Sequence, residues 1–392
     1  MNAHFRYVIV LCGALLAAGL PCVLLNYRIG EVSWANADMP QAASAWQNQQ
    51  RQGIVAIAPG QEHNLKFLTL NRQLPNIDAV VLGSSTVLSI VPADLAPLGT
   101  TYNFATRGSQ GWRTIAEADY FASSVPEVRW LIVSLDQIQL QTAVPPAEVE
   151  MRLKRISVPA RIRDAVTLPR IADLSATVVG WVRAPDPIRA IAATLNPTPS
   201  ESYRCEGLLT RNFAVPAGTC GGYRWDGSIV SVGYPAETPE QYRQMLSSLQ
   251  DTDYYRRAIA DAGLPNAEYL QHLAAAARVL RSRGGGLIGL LPPVLPGIER
   301  GVLQSELAPA SLKRRKTVLD EWGQHNGVVV IDAAASERFG CTFDEFHDEI
   351  HSFFSCDDKV FARFWRDRPG PGRYAPEIDA MSSIPQAGGV SH

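Results

Sequence analysis

Four short segments of the chain are apolar at nearly every position, and stretches with helical spacing lie between them. Strands that are apolar on both faces are typical of a parallel sheet covered by helices on each side. Their alternation with helices predicts an α/β fold, with a doubly wound, flavodoxin-like parallel sheet and helices on both faces. The predicted strands are 78–82, 130–134, 287–291 and 328–331, and the predicted helices are 114–123, 267–282 and 310–324.

Other parts of the chain do not follow this alternation. Residues 29–61 are polar and rich in Ala and Gln, which favours a stalk or linker, whereas 139–265 is rich in turn residues and predicts a long insertion. Pro and Gly dominate from residue 368, which predicts a disordered tail over 368–392. The α/β domain is accordingly expected over 62–367.

The N-terminus carries one long apolar run. Val8–Tyr27 contains no charged residue, and about 20 apolar residues suffice to cross about 30 Å of hydrocarbon. We expect residues 1–28 to form a single-pass anchor in a bacterial inner membrane, with the main domain in the periplasm. The alternative is a cleaved signal peptide, because Ala35-Asn36-Ala37 has the form of a cleavage site. Both alternatives export the rest of the chain.

Composition narrows the choice of partner. The 392 residues include 36 Lys and Arg against 38 Asp and Glu, a formal net charge of -2, and a hydrophobic fraction of 46%. These values are typical of a folded globular protein and give no electrostatic basis for nucleic acid as the main partner.

Four of the six cysteines lie outside the apolar run. An even number in an exported domain predicts two disulfides, which we assign as Cys205–Cys220 and Cys341–Cys356 because each pair closes an equally short interval. Closing a loop of 15 residues is worth about 3 kcal/mol in the chain-entropy model. A zinc site is the weaker alternative, since the chain has no Cys-x-x-Cys motif.

A hydroxyl-bearing segment directly follows the first predicted strand. Gly83-Ser84-Ser85 comes after Leu82, and the carboxyl ends of parallel strands open onto the ligand crevice of such a sheet. A serine at this position can act as a nucleophile. The same three residues are also typical of a turn with a helix N-cap, so the segment alone does not decide between the two.

Two consecutive Asp-x-x-His motifs follow the last predicted strand. An imidazole from this region can act as general base to a serine hydroxyl, and the Asp three residues earlier can hold its other nitrogen. The two candidate pairs are Asp348/His351 and Asp344/His347, and both lie inside the predicted Cys341–Cys356 loop.

Together these motifs resemble those of the SGNH (GDSL-like) hydrolase superfamily. Gly83-Ser84-Ser85 is similar to its first block, the segment 102–108 (Tyr-Asn-Phe-Ala-Thr-Arg-Gly) to its second, and Asp348-Glu-Ile-His351 to its last. The resemblance implies that Ser85 is the nucleophile, with the amides of Ser85 and Gly108 as oxyanion donors. It also favours Asp348/His351 over the other pair, because a helix is expected about five residues later, as in the family.

The third block departs from the family pattern. Family hydrolases have Gly-x-Asn-Asp there, and the Asn donates to the oxyanion, whereas this chain has Ser134-Leu135-Asp136-Gln137. A missing oxyanion donor can cost about 3 kcal/mol of transition-state stabilisation. Either Gln137 replaces that donor or the site works differently.

The resemblance also implies a function. A degenerate third block, an N-terminal anchor and a long insertion are similar to the branch that assists O-acetylation of polysaccharides, as in alginate and teichoic-acid modification, beside a membrane-bound acyltransferase. We therefore expect a serine esterase or O-acetyltransferase that removes or transfers an acetyl group on an exported polysaccharide, without a metal or cofactor. The alternative is an inactive scaffold, or a glycan-binding component of such a complex, that keeps the fold.

Overall fold

The structure is a computed structural model. It describes residues 40–51, 53–57, 61–136, 139–140, 178–188, 191, 203–205, 208–213, 221–230, 264–304 and 309–377. The predicted membrane anchor lies outside these ranges, and within them no helix is both long enough and apolar enough to span a bilayer.

The larger sheet has six strands, all parallel, in the order β3-β2-β4-β9-β10-β11. The α/β class and the parallel sheet predicted from the hydrophobic pattern are confirmed, and each of the four predicted strands is present. The six strands are β2 (Ala79–Leu82), β3 (Thr101–Asn103), β4 (Trp130–Ser134), β9 (Gly286–Leu291), β10 (Val329–Asp332) and β11 (Gly372–Tyr374).

Helices cover both faces of this sheet. In β2, Ala79 and Val81 belong to one apolar cluster while Val80 and Leu82 belong to a second, so successive side chains bury on opposite faces. This explains why the strands are apolar throughout. The helices are α1 (residues 40–50), α2 (Glu62–Asn71), α3 (Gly111–Ser124), α4 (Ala267–Ser282), α5 (Ile298–Gln304), α6 (Pro309–Asn326) and α7 (Phe354–Asp367).

A smaller sheet joins the two regions predicted as stalk and insertion. Its order is β5-β6-β1-β7-β8, with β1 (Ile54–Ala56) at the centre, parallel to β6 and antiparallel to β7. The remaining strands come from the segment predicted as an insertion. They are β5 (Tyr203–Cys205), β6 (Leu208–Asn212), β7 (Gly222–Tyr223) and β8 (Ile229–Val230).

The prediction of a stalk over 29–61 is therefore wrong within residues 40–57. Trp46 of α1 and Val55 of β1 are buried in the main apolar cluster, so these residues belong to the folded domain. The polar composition concealed this because β1 is only three residues long and its partners lie more than 150 residues further along the chain.

The predicted tail over 368–392 is also wrong at its start. Gly372–Tyr374 pairs with Val329–Ile331 of β10, and Arg373 donates to the buried carboxylate of Asp332 at 2.7 Å. Three residues in a Pro- and Gly-rich context give no strand pattern of their own, so the neighbouring strand determines their conformation. Residues 378–392 lie outside the described residues.

One predicted disulfide is present: Cys341 is joined to Cys356 across a separation of 15 residues. Cys220, and the side chain of Cys205, lie outside the part of the chain that the structure describes, so the predicted Cys205–Cys220 pair stays a prediction.

Candidate active site

The strand order places the serine motif where the chain changes direction across the sheet. From β2 the chain runs outward to β3 and then returns to β4 on the other side of β2. Such a reversal opens a crevice at the carboxyl ends of the strands, which is the usual ligand site of open α/β sheets. Ser85 follows β2 at this point, and Asp136 follows β4.

Gly83 allows the two strand ends to approach each other. Its φ is +144°, and a Cβ there would lie 2.5 Å from the Cβ of Ser134. Only glycine fits this contact. The chain then turns at Ser84 into a 3₁₀ turn over Ser85–Val87, which leaves Ser85 half-buried at the edge of the crevice.

The buried carboxylate of Asp136 fixes the residues on either side of Ser85. Its Oδ2 accepts hydrogen bonds from the hydroxyls of Ser84 at 2.6 Å, Thr86 at 3.1 Å and Ser134 at 3.1 Å. Three donors compensate for much of the cost of burying a charge. Asp136 therefore fastens the turn 84–87, which we call the serine turn, to the end of β4.

Ser85, His351 and Asp348 form a continuous hydrogen-bonded chain. His351 Nε2 lies 2.8 Å from Ser85 Oγ, and His351 Nδ1 lies 2.7 Å and 2.9 Å from the two carboxylate oxygens of Asp348. An ionised carboxylate can only accept, so Nδ1 carries the proton and Nε2 accepts from the serine hydroxyl. This is the arrangement in which an imidazole can take the proton of a serine nucleophile.

Asp348 is held in its ionised form. Burial alone would raise its pKa, but the hydrogen bond and charge of His351 and the backbone amides of Ile350 and His351 outweigh burial and lower the pKa below its usual value. Both amides donate to Asp348 Oδ1 at 2.9 Å. The same carboxylate therefore orients the imidazole and organises the backbone that carries it.

The segment 341–356, which we call the histidine loop, is closed on itself. The Cys341–Cys356 disulfide joins its ends. Inside it, the amide of His347 donates to the carbonyl of His351 at 2.8 Å, and the amide of Phe353 donates to the carbonyl of Glu345 at 2.8 Å. His351 is thus held in a segment that a disulfide and internal hydrogen bonds both close.

The alternative pair lies in the same loop but has a different environment. The ring centroid of His347 is 3.8 Å from that of Phe353, and burial lowers the pKa of His347 to about 4. A histidine with such a pKa is neutral at neutral pH and accepts a proton poorly. Asp344 is exposed on a 3₁₀ turn, and the hydroxyl of Ser85 is bonded to His351 instead.

The segment 103–109, which we call the glycine loop, lies beside the serine turn. The amide of Thr106 donates to the carbonyl of Gly83 at 3.1 Å, which fastens the loop to the end of β2. Gly108 is exposed with a φ of +64°, a conformation that favours glycine. Within the described residues, neither the Gly108 amide nor the Ser85 amide donates to a protein acceptor, so both can donate to an oxyanion.

Sequence reasoning missed Gln139, which was assigned to the start of the insertion. This buried residue donates its backbone amide to Asp136 Oδ1 at 2.9 Å, and its side-chain amide donates to the carbonyl of Ser109. It therefore links the end of β4 to the glycine loop. No motif in the chain marks it, because the contact spans 30 residues. Gln137, the predicted third oxyanion donor, lies outside the described residues.

No protein-family model matches the chain, and no curated protein is significantly similar to it. Within the part of the chain that the structure describes, no cluster of His, Cys, Asp and Glu is arranged to hold a metal ion. The geometry on its own comprises a serine hydroxyl bonded to an oriented imidazole, beside two amides that donate to no acceptor among the described residues. Such an arrangement can perform acyl transfer.

Proposed function

We propose that the protein is a serine ester hydrolase or O-acyltransferase of the SGNH type, with Ser85 as nucleophile, His351 as general base and Asp348 as its orienting carboxylate. The observation that carries the proposal is the hydrogen-bonded chain from Ser85 through His351 to Asp348. We also take the sheet to be of the doubly wound, flavodoxin-like type, which its strand order supports.

The proposed reaction has two halves. Ser85 Oγ attacks the ester carbonyl while its proton passes to His351 Nε2, and the amides of Ser85 and Gly108 donate to the oxyanion that forms. The oxyanion collapses, the ester's C–O bond breaks, and His351 returns the proton to the departing alcohol oxygen. The acyl-serine then passes its acyl group to water or to a sugar hydroxyl, whose proton His351 accepts and returns to Ser85.

For the substrate, we propose an acetyl ester on an exported polysaccharide. The resemblance to polysaccharide O-acetylation proteins supports this choice, as does the apolar run Val8–Tyr27, which would place the domain at the periplasmic side of the inner membrane. A membrane-bound acyltransferase is the partner that the same resemblance implies. A partner of this kind would favour transfer of the acyl group over hydrolysis.

Acetyl release tests the proposal. The full-length protein in detergent should hydrolyse p-nitrophenyl acetate and release acetate from O-acetylated polysaccharides, and Ser85→Ala should abolish both activities. Ser123→Ala is the matched control, because Ser123 is an exposed serine at the end of α3. Equal activities of wild type and Ser85→Ala would exclude Ser85 as the nucleophile.

A glycan-binding scaffold without turnover is the second candidate. The specific observation in its favour is the third block, Ser134-Leu135-Asp136-Gln137, which contains no Asn and whose Asp136 accepts bonds from three hydroxyls instead. A scaffold would bind the polysaccharide with the same affinity in wild type and Ser85→Ala, and neither protein would release acetate. The acetate measurement above therefore separates the two candidates.

A further inference from the structure

A lysine without contact to solvent lies beneath the glycine loop. Lys66 of α2 is fully buried. Its ammonium donates to the carbonyl of Asn103 at 3.0 Å and, by a shorter bond, to the carbonyl of Ala105. These two carbonyls occupy the first part of the glycine loop, three and five residues before Gly108.

Asn103 connects the same loop to the serine turn. Its side-chain amide donates to the carbonyls of Val87 at 2.8 Å and Ile90 at 3.0 Å, which follow Ser85, and its side-chain oxygen accepts from the amide of Ala105 at 3.1 Å. Lys66 therefore binds the residue, Asn103, that joins the glycine loop to the serine turn.

Burying an ammonium is costly unless neighbouring groups compensate. Burial lowers the pKa of Lys66 to about 7, against the opposing effect of the acidic groups Glu62, Asp226 and Glu117. The ring of Tyr223 also lies under the ammonium, 4.8 Å from the nitrogen to the centroid. An apolar side chain would avoid the desolvation cost but would leave the carbonyls of Asn103 and Ala105 without this hydrogen-bond donor. The buried lysine is therefore explained by its hydrogen bonds to those two carbonyls.

We propose that Lys66 is a positioning residue for the oxyanion site: by holding the carbonyls of Asn103 and Ala105, its ammonium directs the amide of Gly108 toward the carbonyl oxygen that Ser85 attacks. This inference rests on the proposed function. It assigns to Lys66 an effect on the oxyanion donor and none on the hydrogen bond between Ser85 and His351.

Two reactions at residue 85 separate those effects. Hydrolysis of p-nitrophenyl acetate, measured as kcat in the Ser85 protein, passes through an oxyanion in each half of the reaction and therefore depends on the oxyanion donors. Alkylation by iodoacetamide of the thiol introduced by Ser85→Cys depends on the nucleophile and His351 but forms no oxyanion. Lys66→Met should lower kcat about 10-fold to 100-fold, as expected for a displaced oxyanion donor. In the Ser85→Cys background, Lys66→Met should change the alkylation rate less than about twofold, and Lys66→Arg, which keeps the charge, should restore part of kcat.

The matched control is Lys316→Met, which removes a lysine that is mostly buried and is bonded to Glu299 at 2.6 Å and to Asp332 at 2.9 Å, neither of which belongs to the glycine loop. All variants are compared below their thermal unfolding temperatures. An equal loss in kcat for the ester and in the alkylation rate, or no loss in either, would overturn the positioning role. A Ser85→Cys protein that is alkylated while the Ser85 protein cleaves no ester would instead overturn the proposed function, and the role of Lys66 with it.

Discussion

The two loops that flank Ser85 are held in place by different kinds of contact, within the segment in one loop and from distant parts of the chain in the other. The histidine loop is closed by its own disulfide and by hydrogen bonds between residues of the same segment, such as His347 to His351. The glycine loop has no disulfide, and its own hydrogen bonds join residues only two or three apart. Its ends are held by side chains that are distant in sequence, Lys66 from α2 and Gln139 after β4. One loop is thus a local structure, and the other is determined by tertiary contacts.

This difference predicts different responses to mutation. Damage to the histidine loop should act through the base or through loop closure, and should leave the glycine loop intact. Damage to the glycine loop should act on the oxyanion while the Ser85–His351 bond persists. Four predictions test this division, beginning with the substitution that should reduce activity most.

The largest effect should follow removal of the base. His351→Gln keeps a polar side chain but cannot accept the proton of Ser85, so kcat/KM for p-nitrophenyl acetate should fall about 10⁴-fold. The chain offers a matched control in His272→Gln, because His272 forms a similar 2.9 Å contact with Asp119 away from Ser85. A loss of less than tenfold in His351→Gln, or an equal loss in the control, would contradict the assignment of the base.

The next effect should come from opening the histidine loop. Replacing Cys341 and Cys356 by Ser removes the disulfide, which should lower the free energy of unfolding by about 3 kcal/mol for a loop of this length. Denaturant titration of the variant and of reduced wild type measures the change. Hydrogen exchange should increase over the histidine loop and not over 103–109. Equal increases in both segments would show that the two loops are not independent.

Gly108→Ala should have a smaller effect on stability and act on the other loop. Its φ of +64° disfavours alanine, although no heavy atom lies within 4 Å of an added Cβ. Strain of this kind costs about 1–2 kcal/mol. Relaxation of that strain should turn the amide away, so kcat should fall about tenfold while the pH profile of the base stays unchanged. Gly108→Asn should retain more activity, since asparagine tolerates this conformation. An unchanged kcat in Gly108→Ala would exclude this amide as an oxyanion donor.

The smallest effect concerns pH and the helix that follows the histidine loop. Burial raises the pKa of Asp357 from 3.8 to about 8, assisted by the nearby carboxylates of Asp94 and Glu345 and opposed by Ser89 and Ser352. Because the folded-state pKa lies above the unfolded value, ionisation of Asp357 opposes folding. The free energy of unfolding is therefore not reduced below pH 3.8, and it falls as the pH rises from there to about 8.

Asp357→Asn imitates the protonated carboxyl and should flatten this dependence. The Tm above pH 8 should rise by about 2–4 °C for each kcal/mol regained, while the Tm at a pH below 3.8, where both states carry a protonated carboxyl, stays unchanged. The hydrogen bond from Ser352 to Asp357 Oδ1 at 3.1 Å can form in both proteins. A parallel downward shift at every pH would show that the carboxyl is ionised in the folded protein.

The difference between local and tertiary contacts also explains which features could be predicted from the sequence. The central strands and the Asp-x-x-His motif were predictable because apolar runs and a spacing of three residues are local patterns. The Cys341–Cys356 disulfide was predictable for the same reason. Strand β3 and the bracing roles of Lys66 and Gln139 were not, because each depends on partners at least 22 residues away. The stalk prediction failed similarly, since β1 acquires its sheet from strands that lie far along the chain.

Covalent trapping of Ser85 distinguishes a nucleophilic serine from a structural one. The full-length protein is treated with a fluorophosphonate and digested, and the adduct is located by mass spectrometry. We expect one adduct, on Ser85, that forms at least 100-fold more slowly in His351→Gln, as removal of a general base implies, and at the wild-type rate in His272→Gln. An unlabelled wild-type protein, or a Ser85→Ala variant labelled as fast as wild type, would show that Ser85 is not the nucleophile.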